Sequence, residues 1–214
     1  RYLTVWVDAH EPVRGRFIAP SGALGSVFAV SEDSPTKRNP VSVAYGAGRF
    51  MVAWHYTTAG SSQDSGWDLR GRIIVPESEL SASMQPENDI LLTPPDAHSK
   101  IAFANNFVFN GGNFILTWID EGASEVRGNA WDVNGDRLDE EFHIESTSER
   151  TFPADTSSSE GKTLLQINKN ISSDFTFGDV TARFITSDVD LAGTWHMRQF
   201  LVDQTRDSLE NRFG

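Results

Sequence analysis

Three groups of polar residues stand beside apolar runs that end in tryptophan. Asp8, His10 and Glu11 follow Trp6; His55, Asp64 and Asp68 follow Trp54; Asp120, Glu121 and Glu125 follow Trp118. Carboxylates with a histidine can pass protons as general acid and base, or hold a metal ion. No spacing among the nine is diagnostic, and solvated loop acids are the commoner use of such residues. His98, His143 and His196 are scattered and form no ligand pair at metal-binding spacing. The chain has no Gly-x-Ser-x-Gly elbow, no His-Glu-x-x-His and no phosphate loop. It has no cysteine, so neither a disulfide nor a thiolate site can form.

Two further patterns invite chemistry. Asp132-Val133-Asn134-Gly135-Asp136 places oxygen ligands at alternate positions, as a calcium loop does. An EF-hand would carry Glu at the twelfth position, where His143 stands, so a hairpin turn is the reading preferred over calcium. Arg14 and Arg16, and again Arg70 and Arg72, are two residues apart and share a face of any strand that holds them. Either they form a ring of guanidinium forks for carboxylates or sulfates, or each pairs with an acidic neighbour on the adjacent blade or lies over an aromatic face. Thirty carboxylates in the chain favour such pairing.

The elements that would position these residues repeat. Tyr2-Leu3-Thr4-Val5-Trp6 leads to Val13-Arg14-Gly15-Arg16; Phe50-Met51-Val52-Ala53-Trp54 leads to Leu69-Arg70-Gly71-Arg72. Phe114-Ile115-Leu116-Thr117-Trp118 leads to Val126-Arg127-Gly128-Asn129. A worn fourth copy reads Thr163-Leu164-Leu165-Gln166-Ile167, then Val180-Thr181-Ala182-Arg183. The starts recur at roughly 50–60 residues, within the range of propeller blades. Turn signals at Gly46-Ala47-Gly48, Asn110-Gly111-Gly112 and Asn134-Gly135 separate the apolar runs, because primed hairpin turns need positive φ. Only Asp203 to Phe213 could carry a helix. The expectation is an all-β fold: a β-propeller of four-stranded antiparallel blades, spanning 1–38, 39–95, 96–148 and 149–203, with a tail at 204–214. The polar stretches 32–40, 94–99 and 146–155 read as connections between blades. Thr57 to Trp67 is an insertion in the second.

With Trp6, Trp54 and Trp118, the Arg-Gly pairs at 14–15, 70–71 and 127–128, and the turns at Ser21-Gly22 and Asn134-Gly135, the units resemble bacterial secreted or cell-surface propeller repeats. The resemblance covers about residues 1–145. It implies a propeller and an extracellular or cell-surface setting, and no particular reaction. Ser62-Gln63-Asp64-Ser65-Gly66-Trp67 resembles the Asp-box of sialidase-type propellers, with its Trp two positions early; a polar loop is the preferred reading. Four blades could close alone, with the tail supplying a strand missing before Arg1. Alternatively the chain is an arc of a larger ring, completed by another chain or by further sequence. A start at Arg1, inside a strand pattern, is what a processed product or fragment would show.

Thirty acidic against eighteen basic residues, a net charge of −12, disfavour nucleic acid and anionic membrane surfaces as partners. No run of about 18 apolar residues is present to cross a bilayer. The expectation is therefore a non-enzymatic binding or structural module that recognises a glycan or a partner protein through loops on one face. The candidate ligand residues are Trp67, Asp64, Asp68, His55, Asp8, His10, Asp120 and Glu121. Trp67 is the best placed to stack on a ligand, whereas Trp6, Trp54 and Trp118 are expected to pack between blades. No cofactor is expected, calcium being the one alternative. The rival functions are a carbohydrate-active hydrolase or lyase working through the loop Asp, Glu and His residues, and a subunit of a larger extracellular assembly.

Overall fold

A computed structural model describes residues 1–7, 12–32, 37–56, 68–93, 100–101, 106–138, 141–146, 152–159, 162–168, 180–186 and 196–200. Among the described residues the protein is all-β, built as four antiparallel sheets that follow one another along the chain. Sheet 1 holds β1 (Tyr2–Trp6), β2 (Arg14–Ile18) and β3 (Phe28–Ala29). Sheet 2 holds β4 (Lys37–Gly46), β5 (Arg49–Tyr56), β6 (Asp68–Pro76) and β7 (Ala82–Leu91). In sheet 3, β8 (Lys100–Ile101) and β9 (Phe107–Phe109) pair along one edge of β10 (Phe114–Asp120), and β11 (Glu125–Trp131) and β12 (Phe142–Ser146) follow on its other side. Sheet 4 holds β13 (Phe152–Ser159), β14 (Lys162–Asn168), β15 (Val180–Thr186) and β16 (His196–Phe200). The insertion at 57–67, residues 8–11 after Trp6, the connection at 94–99 and the tail with its expected helix lie outside the described residues.

The repeat is a repeat of register. Trp6 pairs with Arg14, Trp54 with Arg70 and Trp118 with Arg127. The worn copy keeps the same alignment, Ile167 opposite Thr181, although both signature residues are gone. Backbone pairing therefore outlasted the side chains that mark it in sequence.

Alternation along the Trp strands of sheets 2 and 3 sends one set of side chains to the preceding sheet and the other to the following one. Phe50, Val52 and Trp54 bury against Val13, Phe17 and Val30 of sheet 1 and its outer connection. Met51 and Ala53, on the opposite face, join Phe114, Leu116 and Trp118 of sheet 3. Ile115, Val126 and Ala130 then meet Leu165 of sheet 4. Each successive pair of sheets thus encloses its own apolar layer, and sheets 2 and 3 are covered on both faces. Trp54 and Trp118 pack between sheets as expected, at 1% and 0% exposure.

The glycine of the Arg-Gly phrase has a steric reason. Gly15, Gly71 and Gly128 lie beneath a side chain from the outer strand or the residue just past it. A Cβ would come within 3.0 Å of Phe28, 2.9 Å of Leu92 and 2.5 Å of Phe142, respectively. Gly128→Ala should therefore destabilise the fold by about 1–3 kcal/mol through overpacking. Phe142→Ala in the same chain should relieve part of that loss, and a double-mutant cycle by urea denaturation reads the coupling. Strictly additive losses would refute the steric account.

Two stretches read as connections are partly strand. β4 begins at Lys37 and takes in Asn39-Pro40 at a break in register between Arg38 and Val41; β13 begins at Phe152 with a break between Pro153 and Asp155. Proline has no N–H to donate to a ladder, so it is tolerated in a strand where pairing is already interrupted. Polar composition hid these strands: Lys37, Arg38 and Asn39 open β4, and Asp155 to Ser159 make up most of β13.

The 132–136 segment is a hairpin turn. The Asp132 amide donates to the Asp136 carbonyl at 2.9 Å, and the Gly135 amide to the Asp132 carbonyl at 3.1 Å, with Gly135 at φ 90°. Ala19 and Gly22 make the same two bonds in sheet 1, to Ala23 and Ala19. The Asp132 carboxylate accepts from the amides of Asn134 and Asp136 at 2.8 and 2.9 Å, and from the Asn134 side chain at 3.1 Å. Burial alone would raise its pKa, but the hydrogen bonds from Asp136, Asn134 and Gly135 outweigh it and hold the carboxyl below its ordinary value. A depressed folded pKa stabilises above the unfolded value of about 3.9, and that contribution disappears as pH falls through the folded value. Asp132→Ala should accordingly lower Tm at pH 7, with the gap from the parent closing in strong acid. A gap that stays constant into acid would contradict the role of the carboxylate.

Candidate functional site

In sheets 2 and 3, the described residues that could do chemistry lie where the Trp strand meets its Arg-Gly partner. In sheet 2, β5 continues through Tyr56 and β6 starts at Asp68, so His55 and Asp68 are strand residues and not loop residues. His55 is buried beside Trp54 and pairs with Leu69; Asp68 is half-buried and pairs with Tyr56. The Arg70 guanidinium lies 3.7 Å from the centre of the Tyr56 ring, a cation–π stack, and 4.0 Å from Asp89. Arg72, on the same face, donates to Asp89 at 2.6 Å, and both side chains are almost wholly buried. Glu32, leaving sheet 1, stands 3.7 Å from the same guanidinium nitrogen.

A bulge aims Asp89 at the arginines. Between Ile73 opposite Gln85 and Gly71 opposite Ile90, β7 spends four residues, Pro86 to Asp89, against Arg72 alone. Such insertions re-aim side chains out of the regular alternation.

Sheet 3 solves the same problem with different residues. Asn129 occupies the place of Arg72, and Arg127 gathers three carboxylates: Glu125 at 2.9 Å, Glu141 at 3.1 Å and Asp120 at 3.8 Å. Burial alone would lower the Arg127 pKa. Hydrogen bonds to Glu125 and Glu141, with the charges of Asp120 and Glu125, outweigh it and hold the guanidinium above its ordinary value. The buried Asp120 also accepts from the Ala123 amide at 3.1 Å, closing the turn between β10 and β11. Glu121 is exposed on that turn. His143 stands 4.0 Å from Glu125 and 3.3 Å from the Ser146 hydroxyl.

The structure therefore brings Asp120, Glu125 and Arg127 together, and Asp89 to Arg70 and Arg72. It places His55 and Asp68 at the equivalent end of sheet 2. Asp8, His10, Asp64 and Trp67 lie outside the described residues. Arg70 and Arg72 pair internally, but their chief acidic partner, Asp89, belongs to their own sheet and not to the adjacent one; the Tyr56 ring and Glu32 from the neighbouring sheet complete the set. Asp89, Glu141 and Tyr56 were not foreseen. Asp89 and Glu141 reach their arginines through irregular pairing of the outer strand, which no period-two pattern encodes. Tyr56 had a signal, two residues beyond Trp54 and thus on the same face as it.

Chemically, these clusters are ion-pair and cation–π networks that tie strand ends together. Among the described residues no group of three or more His, Asp or Glu side chains is arranged to hold a metal ion. No described helix is long and apolar enough to cross a membrane. No family model matches the chain, and no curated protein matches it.

Proposed function

We propose that the four stacked sheets are propeller blades forming an arc, and that the chain serves as a non-enzymatic binding or structural module. The observation that carries this reading is the occupation of the acids at these strand ends. Asp120, Glu125 and Glu141 surround Arg127, and Asp89 engages Arg70 and Arg72, so these groups spend their charge on strand ends. The propeller reading rests on four meander sheets with one register at the Trp strand, each layered face to face on the next. Sheets radiating around an axis stack in this serial way. The extracellular or cell-surface setting rests on the resemblance of the repeat alone.

The ligand in this reading is a glycan or a partner protein, met by the loops beyond Trp6, Trp54 and Trp118, with Trp67 as the stacking residue. Soluble oligosaccharides should raise Tm in a thermal-shift screen, and Trp67→Ala should abolish the shift while leaving the unliganded Tm unchanged. Turnover of chromogenic glycosides that is lost in Asp64→Asn or Asp68→Asn would instead establish the hydrolase reading.

A further inference from the structure

Register gives Arg70 and Arg127 the same place in the repeat, opposite Trp54 and Trp118. Their surroundings differ. Arg127 donates to Glu125 at 2.9 Å and to Glu141 at 3.1 Å, with Asp120 at 3.8 Å. Among the described residues the one carboxylate within reach of Arg70 is Asp89, at 4.0 Å, too far for a hydrogen bond. Through its other oxygen the same carboxylate meets Arg72 at 2.6 Å. Both arginines have a buried Nε without a partner, so the difference between them lies at the terminal nitrogens. Those of Arg72 are spent on Asp89, behind a side chain only 6% exposed. The Arg70 side chain is 30% exposed, and its terminal nitrogens make no hydrogen bond among the described residues.

Two replacements produce this. Tyr56, opposite Asp68, stands where sheet 3 has Asp120, opposite Glu125. Leu91, opposite Arg70 on the outer strand, stands where sheet 3 has His143, opposite Arg127. An acid has thus become a ring, and Arg70 lies on it, 3.7 Å from its centre. Stacking holds a guanidinium by its face and leaves the N–H groups of its edge to find partners in the plane. Leu91, on the same face of the sheet, is 42% exposed beside it. The patch sits where β5 ends at Tyr56 and β6 begins at Asp68, at the root of the 57–67 insertion.

A planar fork backed by a ring and flanked by an exposed leucine matches a planar carboxylate carried on a frame with apolar C–H groups. Sheet 3 shows the chemistry this place accepts, since its arginine takes carboxylates. We infer that Arg70 anchors a carboxylate of the ligand, and that the ligand is a glycan bearing a uronate unit, whose C–H groups meet Leu91. One guanidinium and one leucine suit a single sugar unit, whereas a protein partner ordinarily covers about 800 Å² on each side. A net charge of −12 opposes a polyanion, so an isolated uronate in an otherwise neutral chain is the form expected. The inference rests on the binding-module reading and names the chemistry of its ligand.

Calorimetric titration of the full chain with glucuronyl and galacturonyl disaccharides, and with their methyl esters, tests it. At least one free acid should bind about tenfold or more tightly than its ester, the fold-change that a charge-assisted hydrogen bond supplies. Arg70→Gln should bring the acid down to the affinity of the ester. Arg70→Lys keeps a charge beside Asp89 and loses the fork; it should lose most of the preference while far-UV circular dichroism and Tm stay near the parent. Tyr56→Phe, which keeps the ring, should leave the preference intact. Equal affinity for acid and ester, no binding of either acid, or a preference that survives both Arg70 variants overturns the inference. A capped peptide with a single glutamate is titrated alongside, and its Arg70-dependent binding without binding of the sugar acids overturns the sugar assignment. Neutral oligosaccharides and Trp67→Ala read the binding-module reading separately. A Tm rise with them, beside equal affinities for acid and ester, retires the inference and leaves that reading in place.

Discussion

Trp118→Ala is expected to be among the most damaging single substitutions in the described fold, destabilising it by about 3–5 kcal/mol, the usual range for truncating a fully buried large aromatic. Trp118 has no exposed surface and lies in the layer between sheets 2 and 3, among Met51, Leu69, Ile73 and Leu116. Truncation removes most of an indole from a layer enclosed by two sheets, and paired strands on both sides resist collapse into the space. A loss of this size is a large part of the about 5–15 kcal/mol that holds ordinary domains together. Trp6→Ala supplies the internal comparison. Trp6 has the same place in the repeat and the same partner position in register, yet it is only half-buried, on the open face of sheet 1. Its loss, measured by urea denaturation, should be well under half that of Trp118. Equal losses would mean that the Trp acts through something common to every sheet, such as strand propensity, and would overturn the inter-sheet packing account.

Asp89→Ala is the second large expected effect, also about 3–5 kcal/mol, because it strands a buried guanidinium. Arg72 and Asp89 meet at 2.6 Å with side chains 6% and 4% exposed, and Arg70 shares the same carboxylate at 4.0 Å. The remaining acid near Arg72, Glu32, is mostly exposed and 3.7 Å away, too solvated to replace a buried partner. The discriminating variant removes both charges: Arg72→Met with Asp89→Leu should recover most of the stability, since apolar pairs of similar volume often replace buried ion pairs without loss. If the double variant is as unstable as Asp89→Ala, the carboxylate acts by fixing the bulge at Pro86–Asp89 and not by neutralising Arg72. Equilibrium denaturation of the three variants separates the two accounts.

Both predictions concern residues whose importance was unevenly legible in sequence. The Trp and Arg-Gly phrases marked the strand pairs, because a residue type recurring at matched places in three units answers a need every unit shares. Their nature as packing elements followed from that regularity, and Trp54 and Trp118 do pack between sheets. The turn at 132–136 was also legible, since Asn-Gly supplies positive φ and the first unit has a parallel turn. The arginine partners were not. Asp89 reaches Arg72 across a four-residue bulge, and Glu141 reaches Arg127 from just before β12, where register shifts between Val126 and Arg127. His55 and Asp68 looked like loop residues because a Trp ended the visible motif, although the ladder runs two residues further.

The sequence by itself determined the all-β class, the fourfold succession of strand groups, the turn chemistry and the alignment of Trp with Arg. Each of these is a local matter of side-chain period, positive φ at a few positions, or recurrence at a fixed spacing. Packing between sheets set which faces are enclosed, which acid neutralises which arginine, and that among the described residues Tyr2 and Thr4 of sheet 1 are exposed while their counterparts in sheets 2 and 3 are buried. Those outcomes depend on what lies across a gap between sheets or around a bulge. The same Trp position in the repeat is sealed in sheet 3, where sheet 2 packs over it, and half open in sheet 1, where no described sheet does.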